Sequence, residues 1–170
     1  MHESNDNGVD KAIEAILAAR AQRLRQSVSQ ESANYQEVIV FTLSGERYAV
    51  ALDELSEIKK VRNLTVLPGV NSAIAGVINV RGSIVSLYQL APRELPDDAG
   101  TMFALVGADD AAHIAIVADT IIGTEKVTAD DISAVPLSLQ EKAYITGIGH
   151  DSLVFVSLRK LLQQPTLYLA

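Results

Sequence analysis

Downstream of residue 35, apolar residues fall in short runs broken by glycine, proline and acidic pairs, the pattern of strands joined by turns. "EVIVFTLSGERYAVAL" carries two β-rich runs around Ser44-Gly45-Glu46 and predicts a hairpin. "DELSEI" reads as a short strand or a turn of helix and carries Glu54 and Glu57. "VLPGVNS" is a loop punctuated by Pro68 and Gly69, and "SAIAGVINV" and "SIVSLYQL" follow as apolar strands. "APRELPDDAG" is a loop with two prolines and three acids. Beyond it, "TMFALV" and "AAHIAIVADTIIG" flank a hairpin turn at Gly107-Ala108-Asp109-Asp110. In "VTADDISAVP", Thr128 stands three residues before Asp131, a variant capping box that predicts one helical turn ended by Pro136. "AYITGIG" and "LVFVSL" flank a turn at His150-Asp151, and "RKLLQQP" predicts a short helix stopped by Pro165. The pattern gives about eight to ten short strands and few helices, which points to barrels or sandwiches. The loop near residues 92–100 divides the strands into two comparable sets, so the expected architecture is two small barrels, with interlocking left open.

Upstream the period changes. Residues 1–8 are polar and read as a disordered tail. Val9, Ile13, Ile16, Leu17 and Leu24 lie along one face of a helix, with alanines between them. Asp10 suits its first turn, and Arg20, Arg23 and Arg25 suit its C-terminal half. "SVSQESANYQ" then reads as a linker, so residues 9–34 form helix plus linker. The apolar face packs on its own domain or docks on another protein.

Composition narrows the function. The 170 residues are 48% hydrophobic, enough for one domain or two lobes sharing a core. Fourteen Lys and Arg are scattered through a chain of net charge −7, which argues against nucleic-acid binding. Cysteine is absent, excluding disulfides, thiolate metal sites and cysteine nucleophiles. The polar, acidic first residues are unlike a secretory signal, and no apolar run approaches the ~20 residues of a bilayer span. A soluble intracellular protein with no membrane insertion is expected.

Catalytic patterns are weak. His2, His113 and His150 do not cluster; His113 reads as a strand residue and His150 as part of a turn. In "GHDS", neighbouring residues on a turn point apart, so it is no triad. Asp109-Asp110 and Asp130-Asp131 sit in turn and cap contexts and read as solvated acids. No phosphate loop, nucleophile elbow or zinc-binding helix motif occurs. The expectation is no enzyme, no cofactor and no metal.

The segment "GVINVRGSIVSLYQL" places Arg81 between two apolar strands. Together with "FTLSGERYAVALDELSEI" and "LPGVNSAIA" it resembles the bacterial chemotaxis coupling protein family, CheW. Gly76, Val77, Asn79, Val80, Arg81, Gly82, Ile84, Val85 and Leu90 match the family's "G-V-x-N-L-R-G-x-I-V-P-V-x-D-L" in spacing, with Val80 for Leu. "IAIVADTI", "AYITGIG" and "LVFVSLRKLL" are similar to later family segments, so the resemblance spans about residues 37–163. Ser86 replaces the motif proline, Gln89 its acid, Asn71 a loop proline and Ala73 a common aromatic. These departures suit a divergent paralogue.

The resemblance implies a mainly β fold of two SH3-like five-stranded barrels, intertwined over residues 35–165, with 166–170 as a tail. It implies a non-enzymatic cytoplasmic adaptor, recruited to membrane-associated receptor arrays. Its partners would be the regulatory domain of a CheA-type histidine kinase and the cytoplasmic tip of a methyl-accepting chemoreceptor. An adaptor or competitor in a specialised motility or surface-sensing pathway is the alternative, with a small-molecule-binding β-barrel as a further one. Implied contact residues are Arg81, Glu57, Leu55, Asn79, Gly82 and Met102. A buried unpaired guanidinium is prohibitively costly, so Arg81 is paired or exposed: salt-bridged to Glu57 or a neighbour, or facing a partner's carboxylate. If "LSE" is extended, Leu55 and Glu57 share a face. Leu55 and Met102 are either core or surface; a surface Met102 would suit a groove that accepts a helix.

Overall fold

The computed structural model describes residues 35–91, 93–95 and 99–164. The expected tails, the N-terminal helix with its linker, and the stop at Pro165 lie outside the described residues. Among the described residues, ten strands form: β1 (Gln36–Leu43), β2 (Glu46–Ala51), β3 (Leu55–Lys60), β4 (Ile74–Val80), β5 (Ser83–Tyr88), β6 (Phe103–Gly107), β7 (Ile114–Ala118), β8 (Thr120–Val127), β9 (Ile145–Ile148) and β10 (Val154–Val156). One short α-helix, α1 (Leu158–Leu162), follows β10. "DELSEI" resolves into both readings offered for it, a 3-10 turn at Leu52–Glu54 running into β3.

The strands pair into two five-stranded sheets, ordered β8-β1-β2-β10-β9 and β3-β6-β7-β5-β4. The sets are not divided at the loop near residues 92–100, as the linear reading expected. Each sheet takes a hairpin from one half of the chain and three strands from the other. The two orders correspond strand for strand, and the successive pairings are antiparallel, antiparallel, parallel and antiparallel in both. Residues 36–88 and 103–156 thus follow one five-strand plan, with their leading hairpins exchanged. The exchange occurs at Leu52–Glu54, between β2 and β3, and at Asp119, the single residue between β7 and β8. "IAIVADTII" reads as one apolar run, yet it is two strands in different sheets.

Each sheet closes on itself by the same device. The segment after β3 bridges to β4 through Thr65 and Val77, and the segment after β8 bridges to β9 through Ser133 and Ile148. The backbones meet so closely that a Cβ on Gly76 would collide with the Thr65 carbonyl oxygen, and one on Gly147 with Ile132. At Gly76 the obstacle is backbone, so contact requires glycine there; at Gly147 it is a side-chain methyl.

β1 shows why its run is continuously apolar. Ile39, Phe41 and Leu43 join the main core, while Val38 and Val40 join a smaller cluster with Ala49, Val127, Leu153 and Phe155. Both faces of the strand are buried, so alternation gives way to an unbroken run.

Two local expectations are corrected. His113 is not a strand residue: it lies in an exposed turn ahead of β7. The Thr128 turn is one 3-10 turn, Ala129–Asp131, ended by extended Ile132 before Pro136 is reached. Its box forms around Asp131, whose Oδ2 accepts from the Thr128 N–H at 2.7 Å and the Thr128 hydroxyl at 2.9 Å. The backbone bond and then the hydroxyl hold the Asp131 carboxyl below the usual range.

Candidate interaction surface

Arg81 and Gly82 alone join β4 to β5, with φ of 52° and 89°. Two positive φ values in a two-residue hairpin make a type I′ turn, whose twist matches the strands it joins. The Asn79 Oδ1 accepts from the Gly82 N–H at 2.9 Å and pins the turn. Asn79 and Gly82 are accordingly the makers of the turn, and Arg81 is what it displays. Left-handed backbone costs a non-glycine residue roughly 1 kcal/mol, so propensity alone does not favour arginine there.

The Arg81 side chain is 82% exposed, and its Nη2 donates to Glu57 Oε2 at 2.9 Å. The salt bridge and the exposure weighed as alternatives for Arg81 are both present. Glu57 stands on β3 and Arg81 at the tip of β4, the two ends of the second sheet, so the pair spans the seam rather than a junction between sheets. Beside it, Lys59 Nζ donates to the Asn79 carbonyl at 3.4 Å. An exposed ion pair contributes only about 0–1 kcal/mol. Its larger consequence is directional: one guanidinium edge is fixed on Glu57 and the remaining N–H groups face outward. The Glu57 Oε1 is buried without a hydrogen-bond partner.

The other expected site residues separate. Leu55 is partly buried against the main core. A bulge at Ser56 shifts the β3–β6 register between Leu55 and Glu57, so simple alternation does not relate those two. Met102 is a correction: it is 1% exposed, fully inside the core, and offers no thioether to a groove. Its sulfur lies 3.7 Å from Arg93 Nη2 instead. The strand after it leads into the sheet interior, and a flexible thioether fills core gaps well.

Ile84 was not singled out from sequence. It is 72% exposed and pairs across the hairpin with Asn79, so it stands beside the Arg81 turn. The signal was available: in β5, Val85 and Leu87 are buried, and Ile84 is an isoleucine in the opposite, polar phase. Val66 is also exposed, in the segment that follows the Thr65 bridge.

Three of the four departures from the family motif meet at the far end of the same hairpin. Asn71 Oδ1 accepts from the Ala73 N–H at 2.9 Å, an Asx turn that starts β4 without a proline. The Gln89 N–H donates to the Ala73 carbonyl at 2.7 Å, and its buried Oε1 has no hydrogen-bond partner. Ser86 donates its N–H to the His113 carbonyl at 2.9 Å, a bond that proline cannot make.

Two acids that sequence reading left aside mark the crossings between sheets. Glu54 accepts from the Ser157 hydroxyl and the Leu158 and Arg159 N–H groups. Asp119 pairs with Arg93 through both oxygens and accepts from the Ser44 N–H. Each carboxylate is engaged by donors of the fold. Among the described residues, no group of three or more His, Cys, Asp or Glu is placed to hold a metal ion, and no helix is long and apolar enough to cross a membrane.

The CheW-like domain model matches residues 37–165. The chemotaxis protein CheW of Bacillus subtilis is 31% identical over 132 residues, covering 76% of this chain and 78% of that protein. The chemotaxis protein CheW of Klebsiella aerogenes is 29% identical over 136 residues, covering 75% of this chain and 81% of its own length. The crystal structure of the scaffolding protein TtCheW from Thermoanaerobacter tengcongensis shares the fold, with a TM-score of 0.59 at 19% identity, over 72% of this chain and 82% of that one. Two interlocked five-stranded sheets, an arginine-glycine turn at the tip of one hairpin, and a match running from β1 to beyond α1 together place this chain in the CheW-like domain family.

Proposed function

We propose that the chain is a non-enzymatic, cytoplasmic chemosensory adaptor that couples a receptor's cytoplasmic tip to the regulatory domain of a CheA-type histidine kinase. Family membership supports the adaptor role, and the Arg81 turn carries the assignment of a recognition surface. A guanidinium held outward on a strained turn, with Glu57 fixing one edge, suits a carboxylate on a partner helix. Ile84 beside it supplies apolar area, and a charged group with an apolar neighbour is the usual make-up of an interface anchor. Asn79 and Gly82 serve this surface by shaping its turn, and Leu55 backs the strand that carries Glu57 from the core side.

A pull-down with the cognate kinase regulatory domain and a receptor cytoplasmic fragment tests the reading. Wild type is expected to retain both, and Arg81→Glu to lose at least one, with a drop of about tenfold or more. Capture of neither by wild type sinks the adaptor. Capture unaffected by charge reversal returns Arg81 to a structural role.

A specialised motility or surface-sensing pathway is the second reading. The clustering of Asn71, Ala73 and Gln89 at one end of the hairpin favours it, because the family pattern is kept at the Arg81 end and altered at the other. Binding to one paralogous kinase of a cell and not to its main chemotaxis kinase would decide for it.

A further inference from the structure

Asp119 stands alone between the last strand of the second sheet and the return strand of the first. Its contacts divide between the two. On the first sheet's side, its N–H donates to the Thr42 carbonyl at 2.8 Å, and its Oδ2 accepts from Ser44 in the β1–β2 turn at 2.8 Å. On the second sheet's side, Arg93, which follows β5, donates Nη1 to Oδ2 at 3.1 Å and Nη2 to Oδ1. Arg93 also reaches Met102, the residue before β6. The pair is only 24% and 31% exposed, and a two-pronged guanidinium–carboxylate contact fixes direction as well as distance.

The opposite crossing repeats the arrangement. Glu54 grips the segment leaving the first sheet, at Ser157, Leu158 and Arg159, while its carbonyl accepts from Ala108 in the β6–β7 connection of the second. Each acid therefore holds the segment leaving the sheet it has come from, and the residue itself also bonds the hairpin connection of the sheet it enters. The two crossings thus stand at equivalent points of a repeated plan, and each ties one sheet to the other.

We propose that Asp119, through Arg93, is a positioning residue for signal coupling: it sets the angle between the two barrels and hence the relation of a partner on one to a partner on the other. This rests on the adaptor reading. Neither residue is part of the Arg81 surface, so its loss would leave each binary contact in place and degrade what passes between them.

The cysteine-free chain allows a direct measurement. Spin labels on Thr124→Cys, in β8 of the first barrel, and Ser72→Cys, ahead of β4 in the second, report the interbarrel distance distribution by pulsed electron resonance. Asp119→Asn is expected to broaden it. In binding and kinase assays with unlabelled protein, affinity for the kinase domain alone and for the receptor fragment alone should stay within about twofold. Receptor-dependent control of the kinase should fall by about tenfold. If Asp119→Asn does not fold, Arg93→Gln keeps the Ser44 bond and carries the same test. A variant distribution that superposes on wild type overturns the proposal, and so does a loss of control matched by an equal loss of binary affinity. Wild type binding neither partner would sink the adaptor reading, while the distance distribution would still decide the clamp.

Discussion

Arg81 occupies a backbone conformation that asparagine and glycine fill at lower cost, which separates its stability from its use. Arg81→Asn relieves roughly 1 kcal/mol of left-handed strain and gives up an exposed pair contributing about 0–1 kcal/mol. Urea denaturation should therefore show a midpoint equal to or above wild type, while partner capture falls as for Arg81→Glu. A clear loss of stability would show instead that Glu57 needs the guanidinium for folding. Tyr48 gives a second residue-level test. Burial, then the hydrogen bond to Glu46 at 2.7 Å, pushes its phenol above the usual tyrosine range. Folding therefore favours the neutral phenol. That contribution is fully present below the unfolded value of about 10 and is lost as pH rises through the folded value. Tyr48→Phe should flatten the alkaline limb of stability against pH by about one proton; Tyr144, also raised by burial, would keep the rest. An unchanged alkaline slope would refute the assignment to Tyr48. At this scale the sequence revealed the guanidinium and its partner, since both lie in short motifs. It hid Arg93–Asp119, because neither residue lies in a segment that singled it out, and the strand exchange that brings them together is not written locally.

Elements were legible where their chemistry is local. The Ser44-Gly45 and Arg81-Gly82 turns were readable because glycine at a two-residue loop specifies the hairpin. The split of "IAIVADTII" was not, because one aspartate interrupts an apolar run and nothing local says that the strands on either side pair elsewhere. The seams belong to the same class. Gly76 has φ of 145° and faces the Thr65 carbonyl, so Gly76→Ala combines strain with a backbone collision. A cost of about 2 kcal/mol or more is expected, read as a drop in unfolding midpoint. At Gly147 the nearest atom is the side-chain methyl of Ile132, which can move, so Gly147→Ala should cost less. Equal costs, or a reversed order, would mean that the seam at β4 yields as readily as that at β9. A weakened β4 seam should also loosen the Glu57–Arg81 pair, since both span the same gap between β3 and β4.

At the scale of the molecule, the exchange of hairpins makes each barrel a joint product of both halves. The first needs β1 and β2 from the N-terminal half and β8, β9 and β10 from the C-terminal half; the second needs β3, β4 and β5 with β6 and β7. The main core draws Phe41 and Leu87 from one half and Leu105 and Ile116 from the other, all fully buried. Neither half can bury its apolar faces alone, and a two- or three-stranded remnant with an open face is marginal in water. A break after residue 97 falls between β5 and β6. Residues 1–97 and 98–170, expressed separately, should each be insoluble or unfolded. Expressed together, they should assemble into one folded complex with a single unfolding transition, because the β1–β8, β2–β10, β3–β6 and β5–β7 pairings can all form between the two chains. Independent folding of either half, or two separate transitions in the intact chain, would show that the barrels are autonomous. A single transition would also place the crossings at Glu54 and Asp119 inside one cooperative unit, as the main core shared by Phe41 of the first sheet and Leu87, Leu105 and Ile116 of the second requires.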